Sequence, residues 1–249
     1  MQQTISFKIY VMSYHRADIT TSYKNFNSCT YVVRAEDEQS YRNVGISDLL
    51  VIPKEAKLRN GDHINGFMSS FYWILENSPE EVVCICDDDI TSYNYRAAKS
   101  TNINTTYNDY KDIIESEIER LAQVLVDLKV GLLCTSPLAT PYAFVKEFDL
   151  VGAPGSTRIV NKAFFKAKYS NADPANSDVD MVMQEILQNR IIMRCSYFYT
   201  VTLPNLKTQG GTENTSVIQD ELHLAMKNKW GKYYQYDKSK SISRIKVKR

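Results

Sequence analysis

Apolar and polar positions along the first two-thirds of the chain switch between the period of a strand and that of a helix. Phe7 to Ser13 (FKIYVMS) is rich in aromatic and β-branched residues and predicts a strand. Thr20 to Asn27 predicts a short helix, Thr30 to Arg34 (TYVVR) a second strand and Leu49 to Pro53 (LLVIP) a third. Between Asn65 and Glu76 the apolar residues Phe67, Met68, Phe71, Ile74 and Leu75 recur at helical spacing. Glu81 to Cys86 (EVVCIC) is apolar almost throughout, as suits a parallel strand covered on both faces. The Asn/Thr/Tyr-rich stretch from Thr91 to Asn108 reads as a loop, either an inert insertion or a lid over a ligand. Ile114, Ile118, Leu121, Leu125 and Leu128 mark an amphipathic helix, and Val130 to Thr135 a further strand. Residues 136–157 read as a long connection, and Arg158 to Ala167 as a strand running into a helix. Met181 to Gln188 is helical again, and Ile191 to Leu203 is strongly β-like. Strands alternating with helices predict a mainly parallel sheet with helices on its faces, whose ligands bind beyond the carboxyl ends of the strands.

Composition adds little until charge is divided by position. The 249 residues, 43% apolar and 24% charged, suit one large α/β domain or two small ones, with a real core. No apolar run reaches the length of a membrane span, and Met1 to Tyr10 lacks the basic and apolar segments of a signal peptide. The five cysteines (Cys29, Cys84, Cys86, Cys134, Cys195) form no CxxC pair, which predicts reduced thiols in a cytoplasmic protein. Residues 227–249 hold nine Lys or Arg and only Asp237 against them, so this segment carries +8 and the remainder −7. The expected organisation is therefore a catalytic domain over residues 1–226 and a basic C-terminal tail over 227–249. Its cations interleave with Trp230, Tyr233, Tyr234 and Tyr236, a composition for neutralising phosphates and stacking on bases, or for a disordered solubilising end.

Two acidic clusters carry the candidate chemistry. Asp87-Asp88-Asp89 directly follows the apolar VVCIC run. Three carboxylates at one strand end repel one another, and a hard divalent cation relieves that repulsion. Mg²⁺ is commonly held by one or two carboxylates plus substrate phosphates, so the triplet reads as half of a metal-diphosphate site, or else as a solvated acidic loop. The second cluster, Ser177-Asp178-Val179-Asp180, opens the Met181 helix. Asp178 there is a general base for an acceptor hydroxyl or a helix cap. Lys207 to Thr212 (KTQGGT) is a phosphate-approaching loop or a plain turn.

KIYVMSYHRADI, YVVRAEDEQSY, VVCICDDDI, SDVDMVMQEIL and KTQGG occur in that order over residues 5–215. This arrangement resembles the GT-A (Rossmann-like) glycosyltransferases and, more narrowly, the TET-associated DNA glycosyltransferases related to the base J glucosyltransferase. The resemblance implies a metal-dependent enzyme with a mixed, mainly parallel sheet, a uridine diphosphate sugar as donor and Mn²⁺ or Mg²⁺ as cofactor. It places the metal on Asp87 and Asp89 of the Asp-x-Asp element. Donor contacts fall to Ser13, Tyr14, Arg16, Arg34, Glu36, Asp87, Asp88 and the segment with Lys207, Gly210 and Gly211. Asp178 becomes the base of an inverting transfer, with Asp180 beside it. The chain departs from the family in having Ser177 where a Glu precedes the base, and Asn65-Gly66-Phe67-Met68 where an Arg is frequent. His223, in the position of the late metal-binding His, sits in an ordinary helical pattern. The acceptor implied is DNA, through the hydroxyl of a hydroxymethylated pyrimidine, in a bacteriophage acting inside its host's cytoplasm. A glycan or protein acceptor, another metal-dependent phosphoryl enzyme, and a non-catalytic nucleic-acid-binding protein are the alternatives.

Overall fold

The computed structural model of the protein describes residues 5–98, 101–104, 110–136, 144, 146–203, 216–239 and 242–248. Twelve strands and five α-helices follow one another as β1 (Phe7–Met12), β2 (Thr30–Arg34), α1 (Glu38–Asn43), β3 (Leu49–Ile52), α2 (Phe67–Asn77), β4 (Val82–Asp87), β5 (Ile90–Ala98), β6 (Thr101–Asn104), α3 (Lys111–Asp127), β7 (Leu132–Ser136), β8 (Phe148–Asp149), β9 (Thr157–Asn161), α4 (Asp178–Asn189), β10 (Met193–Thr202), α5 (Ser216–Trp230), β11 (Tyr234–Asp237) and β12 (Ile242–Ile245) among the described residues. A single sheet runs β3-β2-β1-β4-β9-β7-β10-β5-β6, with β8 on β10. Strands β3, β2, β1 and β4 are mutually parallel, as are β7 and β10, while β9 runs antiparallel between β4 and β7. The expected mainly parallel mixed sheet is observed.

The alternation of side chains across the pleat fills a core on each face. Val82, Cys84 and Cys86 of β4 point to one side, where they meet Ile9, Val11, Tyr31, Val33, Tyr41 of α1 and the Ile114-Ile118-Leu121-Leu125 stripe of α3. Val83 and Ile85 point to the other, against Phe71, Tyr72 and Ile74 of α2 and Met181, Val182 and Ile186 of α4. Helices therefore cover both faces, which is why the β4 run is apolar without alternation. All five cysteines are free, and four are buried. No described helix is long and apolar enough to cross a membrane.

Three expectations are corrected. The described residues of the 91–108 stretch, 91–98 and 101–104, are strand and not loop: β5 and β6 extend the sheet, and β5 pairs antiparallel with β10. Its buried Tyr93 stacks on Phe198, with ring centroids 5.1 Å apart, so the polar-looking Tyr/Asn/Thr sequence is strand sequence with one face in the core. The segment after β9 does not enter a helix, because the buried Glu185 carboxylate of α4 takes the Lys166 and Ala167 amides at 2.5 and 2.6 Å. The expected boundary at residue 227 falls inside α5, and the chain beyond that helix is folded: β11 and β12 form an antiparallel ribbon. Met226 and Tyr234 pack on Ala175 and Met183, and Ile245 and Val247 reach the core beneath α2 and α4.

Asp180 fastens this C-terminal unit. It is 1% exposed and accepts Trp230 Nε1 at 2.7 Å, Lys229 Nζ at 2.8 Å and Gln184 Nε2 at 2.7 Å. Asp180→Ala strands these donors, at a cost of about 2 kcal/mol. It is expected to lower the melting temperature and speed amide exchange in α5 before the sheet; equal exchange in the two regions would refute this role.

Candidate functional site

The site lies beyond the carboxyl ends of β1, β2 and β4. The β1–β4 register sets Met12 beside Asp87, so the Ser13–Arg16 segment and the acidic triplet leave the sheet together. Peptide groups around the triplet are held by the turn at 20–22. Thr21 N and Thr20 Oγ1 donate to the Asp88 carbonyl at 2.9 Å each, and Ser22 Oγ donates to that of Asp87 at 2.6 Å.

The three carboxylates go different ways. Asp88 is 4% exposed and turns toward α1, where Ser13 Oγ donates to it and Arg16 Nη1 binds it at 2.9 Å. Burial raises its pKa against the pull of Ser13 and Arg16. Asp88 and Ser13, both expected at the donor, thus fix the loop from inside; Ser13 Oγ also meets Tyr41 Oη. Asp89 stays at the surface side, 3.8 Å from Arg16. Burial, then the charges of Asp87 and Asp88, push its pKa up to about 6.

Asp87 shares the parity of Val83 and Ile85 and so faces α4. There it meets a residue that no sequence motif marks. Arg158 pairs with Ile85 across the β4–β9 ladder and therefore projects to the same face. It is 4% exposed, donates to Asp87 Oδ1 at 2.8 Å and to Asp178 Oδ2 at 3.3 Å, and lies 5.0 Å from the Phe67 ring centre. Burial opposes its charge, but Asp87 and Asp178 outweigh burial and raise its pKa. One guanidinium thus links the two acidic clusters, which lie 91 positions apart (178 − 87) in the chain. Nothing local signals this; only the parity of β9 against β4 would have.

Asp178 is the first residue of α4, but the cap is Ser177, whose Oγ accepts the Asp180 amide at 3.1 Å. Ser177 therefore leaves Asp178 free of the capping role. One Asp178 oxygen accepts the Val179 amide at 2.7 Å, and the carboxylate keeps 34% of its surface open. Asp180 is turned into the α4–α5 contact.

Around the mouth, Arg34, Ala35, Glu36, Ile52, Pro53, Lys54 and Ile64 line a cavity of about 410 Å³ at the ends of β2 and β3. Tyr14 is 38% exposed, and Arg34 stands 5.3 Å over its ring. Asp37, also not anticipated, takes the His15 amide at 2.8 Å and its Nδ1 at 2.5 Å. It holds His15 at φ 53°, a conformation uncommon outside glycine and typical of backbone kept strained at a site. His223 belongs to the C-terminal unit, bonded to Tyr234 Oη at 2.6 Å and stacked on Tyr236. Lys207, Gly210 and Gly211 lie outside the described residues.

The protein's own donors supply only part of a cation's shell. Among the described residues no three His, Cys, Asp or Glu converge on one point. Asp89, raised by burial and like charge, and the oxygen of Asp87 not held by Arg158 fit a hard divalent cation that takes its other ligands from a diphosphate and water.

No family model and no curated protein matches the sequence. Solved structures do match by shape. A crystal structure of a mycobacterial protein superposes with a TM-score of 0.54 at 9% identity, over 97% of this chain and 82% of that one. Glucosyl-3-phosphoglycerate synthase from Mycobacterium tuberculosis, with Mn²⁺, UDP and glucosyl-3-phosphoglycerate, gives 0.53 at 7% identity over 97% and 87%. The same enzyme with Mn²⁺, UDP-glucose and phosphoglyceric acid gives 0.52 at 7% over 97% and 89%. Likeness at this identity establishes architecture, and the architecture of this chain is the GT-A fold.

Proposed function

We propose that the chain is a metal-dependent glycosyltransferase that moves a sugar from a uridine diphosphate sugar to a hydroxyl on a hydroxymethylated pyrimidine in DNA. The observation that carries the transfer reading is the Asp87–Arg158–Asp178 bridge. It joins an Asp-x-Asp element to an open carboxylate at a helix start, on a fold shared with structures that hold Mn²⁺ and UDP-glucose.

In this reading the cavity beside Arg34 and Glu36 receives the nucleoside, with Tyr14 at its rim. Arg16 sits between the triplet and the donor. Asp89 and Asp87 hold the cation, which when bound offsets the charge of the leaving diphosphate. Asp178 accepts the proton of the acceptor hydroxyl as its oxygen bonds to the anomeric carbon; the bond from that carbon to the diphosphate breaks, inverting the centre. Lys207, Gly210 and Gly211 are further donor contacts in this reading, on the sequence alone. Asp180 has no part in transfer. DNA as acceptor is supported by the motif order of the sequence and by its basic C-terminal unit; the similar synthase is bound to phosphoglyceric acid, a different acceptor class.

Sugar release from a panel of uridine diphosphate sugars, with and without Mn²⁺ and hydroxymethylated DNA, tests the reading. Metal-dependent turnover that rises with the DNA is expected, and Asp178→Asn should lower it about a hundredfold. Turnover stimulated only by a glycan or protein would replace the acceptor. No turnover with any donor would remove the enzyme reading.

A further inference from the structure

The C-terminal segment is basic by composition, and its folding sorts its charges. Among the described residues three of its cations have carboxylate partners, and Arg244, 45% exposed, has the longest of these contacts. Lys229 binds Asp180 and Asp173, Lys238 binds Asp220 at 2.8 Å, and Arg244 lies 3.5 Å from Asp237. Lys227, Lys232, Lys246 and Lys248 are exposed and have no carboxylate partner among the described residues.

Alternating burial then puts cations of the last segment on one side. Ile245 and Val247 turn inward onto the α2 and α4 core, so Arg244, Lys246 and Lys248 all turn outward. β12 ends at Ile245, but the alternation of exposed and part-buried residues continues through Lys248, so the three cations share one side of the segment. Beside it lies an aromatic ring: Lys246 N donates to the Tyr233 carbonyl at 2.8 Å, Tyr233 is 47% exposed, and Lys232 stands 5.3 Å over it. The inward face of the same ribbon seats Tyr234 against Met183 of α4, the helix that begins at Asp178.

We propose that the outward face of the β11–β12 ribbon, with Lys232, Tyr233, Arg244, Lys246 and Lys248, is a docking surface for the phosphate backbone of a nucleic acid. Cations on one side with an exposed ring beside them are the pattern of single-strand binding, in which phosphates meet the charges and a base stacks on the ring. A lipid surface would also attract the cations, but it needs apolar side chains pointing the same way. Here Ile245 and Val247 point into the protein, and among the described residues of β12 and the segment after it a single aliphatic side chain, Ile242 at 39% exposed, shares the outward face, too little to embed in a bilayer. The ribbon is anchored on α4, so a strand bound to it is held by a unit packed on the helix that begins with the candidate base. That role as an acceptor platform rests on the DNA reading above; the binding itself does not.

The test compares the full chain with Lys232→Gln/Lys246→Gln/Lys248→Gln for binding to a labelled single-stranded oligonucleotide, read by anisotropy over a range of salt. The three side chains are exposed, and an unchanged melting curve checks that the variant folds. Each lost phosphate contact removes about 0.7 from the slope of log affinity against log salt. The variant is expected to lose about 2 from the slope and about a hundredfold in affinity at about 0.1 M salt. Equal affinity and slope would overturn the proposal, as would a native chain that sediments with phosphatidylserine vesicles but ignores the oligonucleotide. Metal-dependent donor hydrolysis by the native chain without DNA reports the transfer reading separately. Its absence alongside oligonucleotide binding removes only the transfer reading; its presence without binding removes only the ribbon.

Discussion

Asp89→Asn is expected to cut sugar transfer about a thousandfold while raising the melting temperature of the metal-free protein. The loss follows because charge compensation at the diphosphate is worth several kcal/mol, and each ~1.4 kcal/mol is tenfold in rate. The gain follows from the pKa. Burial and the charges of Asp87 and Asp88 raise Asp89 from 3.8 to about 6. A carboxyl whose folded pKa is raised holds its proton more tightly in the folded chain than in the unfolded one. Its penalty is therefore absent below the unfolded value and grows through the window between 3.8 and about 6, so stability is lost as pH rises. Two pKa units correspond to roughly 3 kcal/mol. The side chain keeps 18% of its surface exposed, and solvent there trims the effect to about 1–2 kcal/mol. In a chain of this size that is a rise of about 2–8 °C at neutral pH, fading near pH 4. Mn²⁺ should stabilise the native chain and leave the variant unmoved. A variant that melts like the native chain at every pH, or keeps metal-dependent turnover, would show that Asp89 is an ordinary surface acid.

Much of this site could be read from sequence, because most of it is encoded locally. A strand that is apolar throughout and ends in three acids identifies β4, both faces of its sheet and the edge where the candidate site lies. The Ser-Asp start of α4 identifies a helix terminus, though not that Ser177 caps it and leaves Asp178 open. The features that sequence did not reveal depend on distant partners. Arg158 looks like any residue entering a strand until β9 is paired with β4. Asp180 looks like a second catalytic acid until Trp230 and Lys229 arrive from α5. The 91–108 stretch looks polar because Tyr93 counts as half-polar by composition, yet its ring is buried against Phe198. The C-terminal ribbon was hidden for the same reason: its apolar residues, Tyr234, Ile245 and Val247, are few and widely spaced among lysines, and only the surface they dock on makes them a core.

Arg158→Met should destabilise the fold and Arg158→Lys should not, and the difference between them separates a structural cation from a positioning one. Removing one member of a buried ion pair commonly costs about 3–5 kcal/mol, because the partner is left charged and unpaired. Here the stranded partners, Asp87 and Asp178, keep 26% and 34% of their side-chain surface in solvent, which lowers the expected loss to about 2–3 kcal/mol. That is a fall of roughly 4–12 °C in melting temperature. Lysine keeps the charge near the Phe67 ring and should melt within a few degrees of the native chain. Its single ammonium does not reproduce the fork by which Arg158 reaches both carboxylates at once. If the fork aligns Asp178 with the acceptor, Arg158→Lys should lower kcat about tenfold or more with little change in donor KM. A lysine variant that transfers sugar as fast as the native chain would leave Arg158 with the fold alone, and the meeting of the two acidic clusters would then be a matter of stability and not of chemistry.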